Sequence, residues 1–412
     1  MPSSSSKTQS TETQKQLVEQ KTYWFEVVLI WIAGVSAAMQ FAKFSISYDA
    51  VLIHYQEGPT ATGMSLSIVG VVGLIFGVSA GVYAGRIGYR KVLVGALLLG
   101  SVLSFIQSLL PPFELVLVTR LLEGFSQLGV VVAAPTMIAR LSANRHRSIT
   151  MGLWGTFFGV AFAISGFVGK SILVNYGLSA LYLSHAILIG SMALILTVFL
   201  HKNSSLFNTV KVEVPEKMLT LLGKIYRNPR IVFPSLVFLF YTCILVSMLT
   251  YIPRFIQDES LRTTMQIFLP LTSTTGSFIA GALSQYFFRP QRVALIAYIG
   301  AAMSALTLLN FLAEPTLFCL VVGIMIFSIG MLPGATLAMI PVLAKDQDEQ
   351  AQGYGLVAQL GNLGATVGPP SFAAMITLFG MNGLIGLVLV FCCFGVLFSL
   401  LCARIGTASV ES

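Results

Sequence analysis

Long hydrophobic runs make up most of the chain, and short polar links separate them at regular intervals. Each run is about 20 residues long, the length that an α-helix needs to cross the hydrocarbon core of a bilayer. The residue-by-residue alternation typical of barrel strands is absent, so helices are the predicted element. The pattern predicts twelve membrane spans, numbered 1 to 12, at residues 24–50, 63–85, 92–110, 114–139, 149–173, 179–200, 231–252, 263–287, 293–312, 315–340, 351–376 and 381–403.

The longest polar interval, from His201 to Arg230, divides these spans into six plus six. The two halves resemble each other weakly. The segment that starts at Gly124 aligns with the one that starts at Ile326, and Gly73, Tyr83 and Arg86 align with Gly276, Tyr286 and Arg289 at nearly the same offset. A duplicated six-helix unit is typical of transporters that bind their substrate between the halves, near the bilayer midplane.

We therefore predict an all-α polytopic membrane protein of two pseudo-symmetric six-helix bundles. The predicted organisation is a disordered cytoplasmic tail (1–22), an N-terminal bundle (23–200), a cytoplasmic central loop (201–230), a C-terminal bundle (231–404) and a cytoplasmic C-terminal tail (405–412). The N-terminal tail has no apolar core or cleavage site of a signal peptide.

Composition agrees with this prediction, since 56% of the residues are hydrophobic and only 10% are charged. Soluble domains have about 25% charged residues, so a single water-soluble core is excluded. All five cysteines fall inside predicted spans without metal-ligand spacing, and we interpret them as apolar packing residues. We expect no metal or cofactor.

Basic residues collect in alternate links. Most of the 24 Lys and Arg residues lie in the two tails, the central loop and the 2–3, 4–5, 8–9 and 10–11 links. The positive-inside rule then places these segments, and both termini, in the cytoplasm. The net charge of +8 follows from this topology and does not indicate a nucleic-acid partner. We predict the cytoplasmic (inner) membrane of a prokaryotic-type cell as the location.

Two short motifs point to a family. GVYAGRIGYRK, residues 81–91, resembles the signature G-x-x-x-D-R-x-G-R-[KR] between spans 2 and 3 of the major facilitator superfamily, and RLLEGFS, residues 120–126, resembles that family's R-x-x-Q-G-x-G pattern in span 4. The resemblance implies twelve helices and secondary transport by alternating access. Span 5 has no Gly-Pro pair like that of many proton-coupled drug antiporters, which counts against a multidrug exporter.

The chain departs from the signature at Gly85, where the family has an acid. We predict that Asp348 and Glu349, at the start of span 11, replace that acid, because the 2–3 link meets this helix start in the resembled fold. Arg86 and Arg90 would pair with them across the halves as a cytoplasmic gate, and an exposed pair of this kind contributes about 0–1 kcal/mol. The alternative is that these acids complement the N-terminal end of the span 11 helix dipole.

Ionisable residues deep in a membrane are costly and usually mark a functional site. On span 1, Gln40 and Lys43 share a polar face with Ser36 and Ser47, and they are predicted to bind an anionic substrate. The alternative for Lys43 is a lysine that extends to the outer headgroups.

On span 4, Arg120, Glu123 and Gln127 share one face. Arg120 is predicted to contact the anion and Glu123 to take the coupling proton, with both, like Lys43, directed into a central pocket between the bundles. The alternative is a structural i,i+3 ion pair.

In the second half, Gln359 and Asn362 of span 11 are predicted to orient the substrate by hydrogen bonds. The hydroxyl residues Thr272 to Thr275 and Thr366 form further polar stripes, although such groups often bond to their own backbone.

No phosphate-binding loop, metal cluster or nucleophile motif is present, so we predict that the protein is not an enzyme. The predicted function is a monomeric, proton-coupled, alternating-access carrier of a small organic solute, an anion by the charges above. One alternative is an exporter of drugs or of a metabolite such as a siderophore, which the effect of deletion on intracellular solute would reveal. The other is a transporter-like sensor or accessory protein, which would show no counterflow.

Overall fold

The computed structural model describes residues 21–200, 218–312 and 314–408, and each predicted span is mostly helical in these ranges. In the first half the helices are Trp24–Ile46, Pro59–Ile87, Tyr89–Ser108, Phe113–Leu141, Arg147–Gly155, Phe157–Ile164 and Lys170–Phe199. In the second half they are Pro229–Tyr251, Glu259–Tyr286, Pro290–Leu308, Pro315–Leu343 and Gln347–Ala408. The predicted disorder of the N-terminal tail (1–20), most of the central loop (201–217) and the last residues of the C-terminal tail (409–412) lie outside the described residues.

Two of the continuous helical segments contain two spans each. Spans 5 and 6 are separated by Gly177, with φ 83°, and spans 11 and 12 by Gly380, with φ 60°. Both angles lie in the left-handed region, which glycine adopts without steric cost, so the chain reverses within a residue or two. Counted as continuous segments, ten helices in the described ranges are long and apolar enough to cross a membrane. The chain is therefore a multi-pass membrane protein.

Two shorter helices flank the spans. Span 1 ends at Ile46, earlier than predicted, and a separate helix Tyr48–Tyr55 follows it. In the central loop, the helix Met218–Arg227 packs through Ile225 against Val78 of span 2 and Leu356 of span 11. The described end of the predicted loop thus covers the line along which the two halves meet.

Equivalent helices pack alike in the two halves. A Cβ on Gly124 of span 4 would lie 2.6 Å from the carbonyl oxygen of Val69 in span 2. In the second half, Gly330 of span 10 lies in the same way against the backbone of Ser273 in span 8. The repeated close approach of spans 2 and 4, and of spans 8 and 10, supports the pseudo-symmetry that the sequence repeat predicts.

The halves meet along spans 2 and 11 and along spans 5 and 8. A Cβ on Gly77 would lie 2.7 Å from the carbonyl oxygen of Gly355, and one on Gly152 would lie 2.6 Å from Gly281 Cα. Small residues permit this approach between membrane helices. These contacts are at the end of the molecule that holds the basic 2–3 and 4–5 links, which we call the basic end.

Towards the other end, two glycines on the same helix faces lack such close contacts with the opposite half. Gly63 and Gly166 each lie seven residues beyond a contact glycine, Gly70 and Gly159, and so on the same helix face. A Cβ on either would have no neighbour within 4 Å. Among the described residues, the halves are therefore packed together at the basic end and lie apart at Gly63 and Gly166 towards the opposite end.

Candidate functional site

A cavity of about 300 Å³ lies between the two halves, in contact with spans 1, 2, 4, 5, 7, 10 and 11. This volume is at the lower end of the range for small-molecule sites. The contacts between Gly152 and Gly281 close the structure on the basic side of the cavity. Its position between the halves is that of the substrate site in transporters built from repeats.

Aromatic side chains form much of the cavity wall. Trp154 and Phe157 of span 5 stack with ring centroids 4.4 Å apart and an interplanar angle of 12°. Further aromatic residues in the wall are Phe41, Phe158, Phe238, Tyr241 and Tyr354. Among the described residues, the lining contains polar groups such as Gln127, Thr242 and Asn362 but no charged side chain. Such a surface favours a flat, largely apolar solute.

The two span 11 candidates separate in the structure. Asn362 lines the cavity, and its amide donates to the carbonyl oxygen of Ala358 at 2.8 Å. Gln359 lies on the seam with span 2, where its amide donates to the carbonyl oxygen of Leu74 at 2.8 Å. Its side-chain oxygen accepts from the Tyr226 hydroxyl at 2.7 Å, so both of its polar groups are already bonded.

The threonine hydroxyls of spans 8 and 11 donate hydrogen bonds to backbone carbonyls of their own helices, which is the alternative to substrate binding. Thr272 donates to Phe268, Thr275 to Leu271 and Thr366 to Asn362, each to a backbone carbonyl four residues earlier at 2.8–2.9 Å.

The charged residues of spans 1 and 4 form one buried network inside the N-terminal bundle. Lys43 Nζ lies 2.7 Å from Glu123 Oε1, and Arg120 Nη1 lies 2.5 Å from Glu123 Oε2. All three side chains are 2% exposed or less. Helical spacing predicts that Lys43 lies on one face of span 1, and Arg120 and Glu123 on one face of span 4. In the structure these two faces meet and form one ion-paired cluster.

Arg120 is held by the backbone as well as by the acid. Its Nε donates to the carbonyl oxygen of Ser65 at 2.7 Å, and its Nη1 donates to that of Gln40 at 2.8 Å. The guanidinium carbon lies 4.2 Å from the centroid of the Phe44 ring, which stacks on Tyr182. The side chain of Gln40 donates to the Ser126 hydroxyl at 2.9 Å and is fully buried.

Spans 3 and 6 complete this network. Lys43 donates to Ser104 Oγ and to Gln107 Oε1, each at 2.7 Å. His185 of span 6 lies with Nδ1 2.9 Å from Ser104 Oγ and Nε2 2.9 Å from the carbonyl oxygen of Ser36. We did not predict roles for Ser104, Gln107 or His185. The rule that intramembrane ionisable residues are functional could have singled out His185.

The expected direction of the charged side chains requires correction. We expected Lys43, Arg120 and Glu123 to point into the pocket between the bundles, but none of them lines the cavity. Their neighbours Phe41 and Gly124 do. The physical reason is that polar partners on spans 3 and 6 draw the charges into the bundle interior, which leaves the cavity wall to apolar side chains.

The predicted cytoplasmic gate does not form ion pairs. Arg86 is exposed, and the Arg90 guanidinium donates to the carbonyl oxygen of Thr197 in its own half at 2.7 Å. Glu349 accepts from the backbone N–H of Lys345 at 2.5 Å and from the Asn228 amide, both in the second half. Arg90 belongs to span 3, which packs on span 6, and this packing directs its side chain away from span 11.

The start of span 11 fits the helix-terminus alternative better. Asp346 Oδ1 accepts from the backbone N–H of Glu349 at 2.8 Å, and Glu349 reaches back to the N–H of Lys345. This reciprocal arrangement is close to a capping box, which satisfies the free N–H groups of a helix start. Glu349 therefore has a structural role here.

Asp348 does meet the first half, but at other residues than predicted. A Cβ on Gly85 would lie 3.7 Å from Asp348 Oδ1, and the cation that attracts Asp348 is Arg140 at the end of span 4. The Arg140 guanidinium lies 4.5 Å from the centroid of the Tyr89 ring. Asp348 thus occupies the neighbourhood of the missing acid, as predicted, with Arg140 as its electrostatic partner.

Two relatives from Pseudomonas putida are similar in sequence. A gallate transporter is 29% identical over 157 residues, which cover 37% of this chain and 33% of the relative. A 4-hydroxybenzoate transporter is 26% identical over 179 residues, which cover 43% of this chain and 39% of the relative. The chain thus matches well under half the length of either relative.

Solved structures match over almost the whole chain. A proton:xylose symporter superposes with a TM-score of 0.70 at 14% identity, covering 92% of this chain and 94% of that one. The fucose:proton symporter of E. coli gives 0.69 at 15% identity, with 93% and 99% covered. The human organic anion transporter MFSD10 gives 0.66 at 16% identity, with 91% and 98% covered. At these identities the likeness concerns the fold.

The sequence model of the Major Facilitator Superfamily matches residues 30–311. This range covers well over half of the chain and includes both motifs, and the structural matches extend the same fold over both bundles. The chain therefore belongs to the major facilitator superfamily and is a transporter, not an enzyme.

Proposed function

We propose that this protein is a secondary active transporter of aromatic carboxylates, driven by protons and working by alternating access. The observation that carries the proposal is the cavity between the halves, whose wall contains aromatic rings of both bundles, with Trp154 and Phe157 of the first bundle stacked. An aromatic substrate would gain offset or edge-to-face contacts there that a sugar would not. The names of the two bacterial relatives, which are transporters of gallate and of 4-hydroxybenzoate, support the same substrate class.

The buried network supplies the charge that an anion requires. Lys43 and Arg120 with one acid, Glu123, give an excess of one positive charge when all three are ionised. Gly124 and Gln127, in the turn of span 4 that follows Glu123, line the cavity, so this charge lies directly behind the wall. In a medium of low dielectric constant it would attract a carboxylate without direct contact. Asn362 and Gln127 would bind the polar groups of the substrate.

The packing of the halves supports alternating access. The basic end is closed by glycine contacts and the opposite end is open, which is one of the two states that such a carrier needs. With the basic links in the cytoplasm by the positive-inside rule, this state is outward-facing. We place the protein as a monomer in the cytoplasmic membrane of a prokaryotic-type cell, with both termini inside.

Uptake into proteoliposomes tests the proposal. Purified protein is reconstituted, and accumulation of radiolabelled 4-hydroxybenzoate is measured with the lumen more alkaline than the medium. We expect accumulation above that of empty liposomes, competition by benzoate and gallate, and weak competition by cyclohexanecarboxylate, which has the charge without the aromatic ring. Failure of every aromatic acid to accumulate or exchange, with transport of a neutral sugar or a cationic drug instead, would overturn the proposed substrate class.

A further inference from the structure

The Glu123 carboxylate accepts hydrogen bonds from two cations and one amide. Oε1 accepts from Lys43 at 2.7 Å, and Oε2 accepts from Arg120 at 2.5 Å and from the Gln107 amide at 3.0 Å. The Ser104 hydroxyl is 3.2 Å from Oε1, but its one hydrogen has a closer acceptor in His185 Nδ1, at 2.9 Å. An ionised carboxylate has about four acceptor positions. Three of them are filled, two of these by cations, so protonation of Glu123 would weaken its ion pairs with both Lys43 and Arg120.

Arg120 and Glu123 form a pair whose charges cancel at every physiological pH. A guanidinium does not lose its proton in proteins, and Arg120 is fixed in place by the backbone carbonyl oxygens of Ser65 and Gln40. Glu123 keeps this partner whether or not Lys43 is charged. The pair is therefore a permanent neutral unit, and Lys43 is the surplus cation of the network.

Lys43 is built into the site as a donor of three hydrogen bonds. Its ammonium group has acceptors at 2.7 Å in Ser104, Gln107 and Glu123, on spans 3 and 4. Without one proton the amine would still donate to two of them. The change would cost one hydrogen bond and would leave the Arg120–Glu123 pair intact.

The other titratable groups that face Lys43 are on span 6. His185 Nε2 lies 2.9 Å from the carbonyl oxygen of Ser36, which requires a proton on Nε2, and Nδ1 lies 3.5 Å from Lys43 Nζ. A second proton on His185 would create a cation beside Lys43. The Tyr182 ring centroid lies 5.6 Å from Nζ, and its hydroxyl bonds to Ser47. Neither group competes with Lys43 for the proton.

We propose that Lys43, and not Glu123, carries the coupling proton, so that one proton crosses with each carboxylate in an electroneutral cycle. This inference rests on the proposed function. The loaded carrier combines the single positive charge of the network with one negative charge in the cavity, and the empty carrier has a neutral Lys43. The network and cavity together are then neutral in both forms that change conformation. A form that holds only the proton or only the anion has a net charge. Binding of proton and anion must therefore favour each other reciprocally.

In the cycle the amine of Lys43 takes a proton from water at the open end, and the anion enters the cavity. The two halves then close the outer end and open the cytoplasmic end. The anion leaves on the cytoplasmic side, and Lys43 returns its proton to water there. No other bond is made or broken. Direct contact between Lys43 and the substrate is not required, because the coupling is electrostatic.

A permanently charged variant tests the assignment. Lys43→Arg keeps the positive charge but has no proton to release, so we expect it to exchange internal for external 4-hydroxybenzoate while accumulation driven by the pH gradient falls to the level of empty liposomes. Accumulation by Lys43→Arg equal to that of the wild type would overturn the proposal. Glu123→Gln does not separate the two assignments, because it leaves a permanent positive charge and uncouples transport in either case.

Two measurements on the wild type do not depend on how Lys43→Arg folds. We expect one proton to be taken up from weakly buffered solution per bound 4-hydroxybenzoate, and uptake unchanged by an imposed potassium diffusion potential. Uptake driven by that potential alone would overturn the electroneutral cycle.

Infrared spectroscopy needs no substrate. We expect pH-difference spectra of the purified protein to show no protonated carboxyl band that is absent from Glu123→Gln, and such a band would overturn the assignment. If the wild type transports no aromatic acid, the proposed function fails, and the infrared result still decides the assignment of the proton.

Discussion

Closure of the basic end depends on glycine at position 152, and replacement by alanine should weaken it. A Cβ there would lie 2.6 Å from Gly281 Cα and 3.1 Å from Gly281 N. These are backbone atoms that cannot rotate away, so spans 5 and 8 must separate. Overpacking of this kind costs about 1–3 kcal/mol. The conformation in which the halves part at this end escapes the cost. At about 1.4 kcal/mol per factor of ten, its population relative to the closed state should rise about 5- to 150-fold.

Electron paramagnetic resonance between two spin labels measures this shift. Arg145 and Arg289 are exposed in the 4–5 and 8–9 links, on opposite halves of the basic end. In a background without the native cysteines, labels at these positions should show a longer distance component in Gly152→Ala than in the parent protein. Gly166→Ala is the matched control, since it adds the same methyl group to the same span where no atom lies within 4 Å.

An unchanged distance distribution in Gly152→Ala would refute the reasoning. So would an equal shift in Gly166→Ala, because the effect would then come from the helix itself and not from its contact with Gly281.

Further predictions concern Arg120, Phe157 and Tyr226. Arg120→Met should destabilise the protein by about 3–5 kcal/mol in detergent unfolding, since it leaves buried acceptors without a donor. Combined with Glu123→Gln it should cost less than the sum of the single changes, and additivity within about 0.5 kcal/mol would contradict the ion pair. Phe157→Ala should raise the KM for 4-hydroxybenzoate about two- to thirteen-fold, for a stacking contribution of about 0.5–1.5 kcal/mol, whereas Phe167→Ala, 86% exposed on the same span, should leave it unchanged. Tyr226→Phe removes the hydroxyl that Gln359 accepts from and should lower stability in the same unfolding assay by about 0.5–1.5 kcal/mol; no change would show that this bond does not hold the central-loop helix.

The fold could be predicted from the sequence because the bilayer imposes a length and a polarity on each span. Hydrophobic runs of about 20 residues located the helices to within a few residues. The glycine-rich 2–3 motif correctly placed the 2–3 link next to the start of span 11, at Gly85 and Asp348. Helical spacing also placed Lys43 on the polar face of span 1, and Arg120 and Glu123 on one face of span 4.

The direction of these faces could not be derived in the same way. Spacing along one helix does not say which neighbouring helix a face meets, and the partners that pull Lys43 inward, Gln107 and His185, come from spans 3 and 6. The predicted gate partners differ from those in the structure for a related reason. Charge complementarity suggested Arg90, but the packing of span 3 on span 6 directs Arg90 to Thr197. Gln359 looked equivalent to Asn362, and both lie against span 2, but only Gln359 donates to the span 2 backbone, at Leu74, whereas Asn362 donates to its own helix.

Consensus engineering would begin by restoring aspartate at position 85, the residue that the family signature prescribes. In this chain the new carboxyl group would face Asp348, whose Oδ1 lies 3.7 Å from where the Cβ would be. Two carboxylates this near to each other repel across the line where the halves meet. The apparent repair would therefore loosen the inner closure, and a stabilised version of the protein has to treat positions 85 and 348 as one unit.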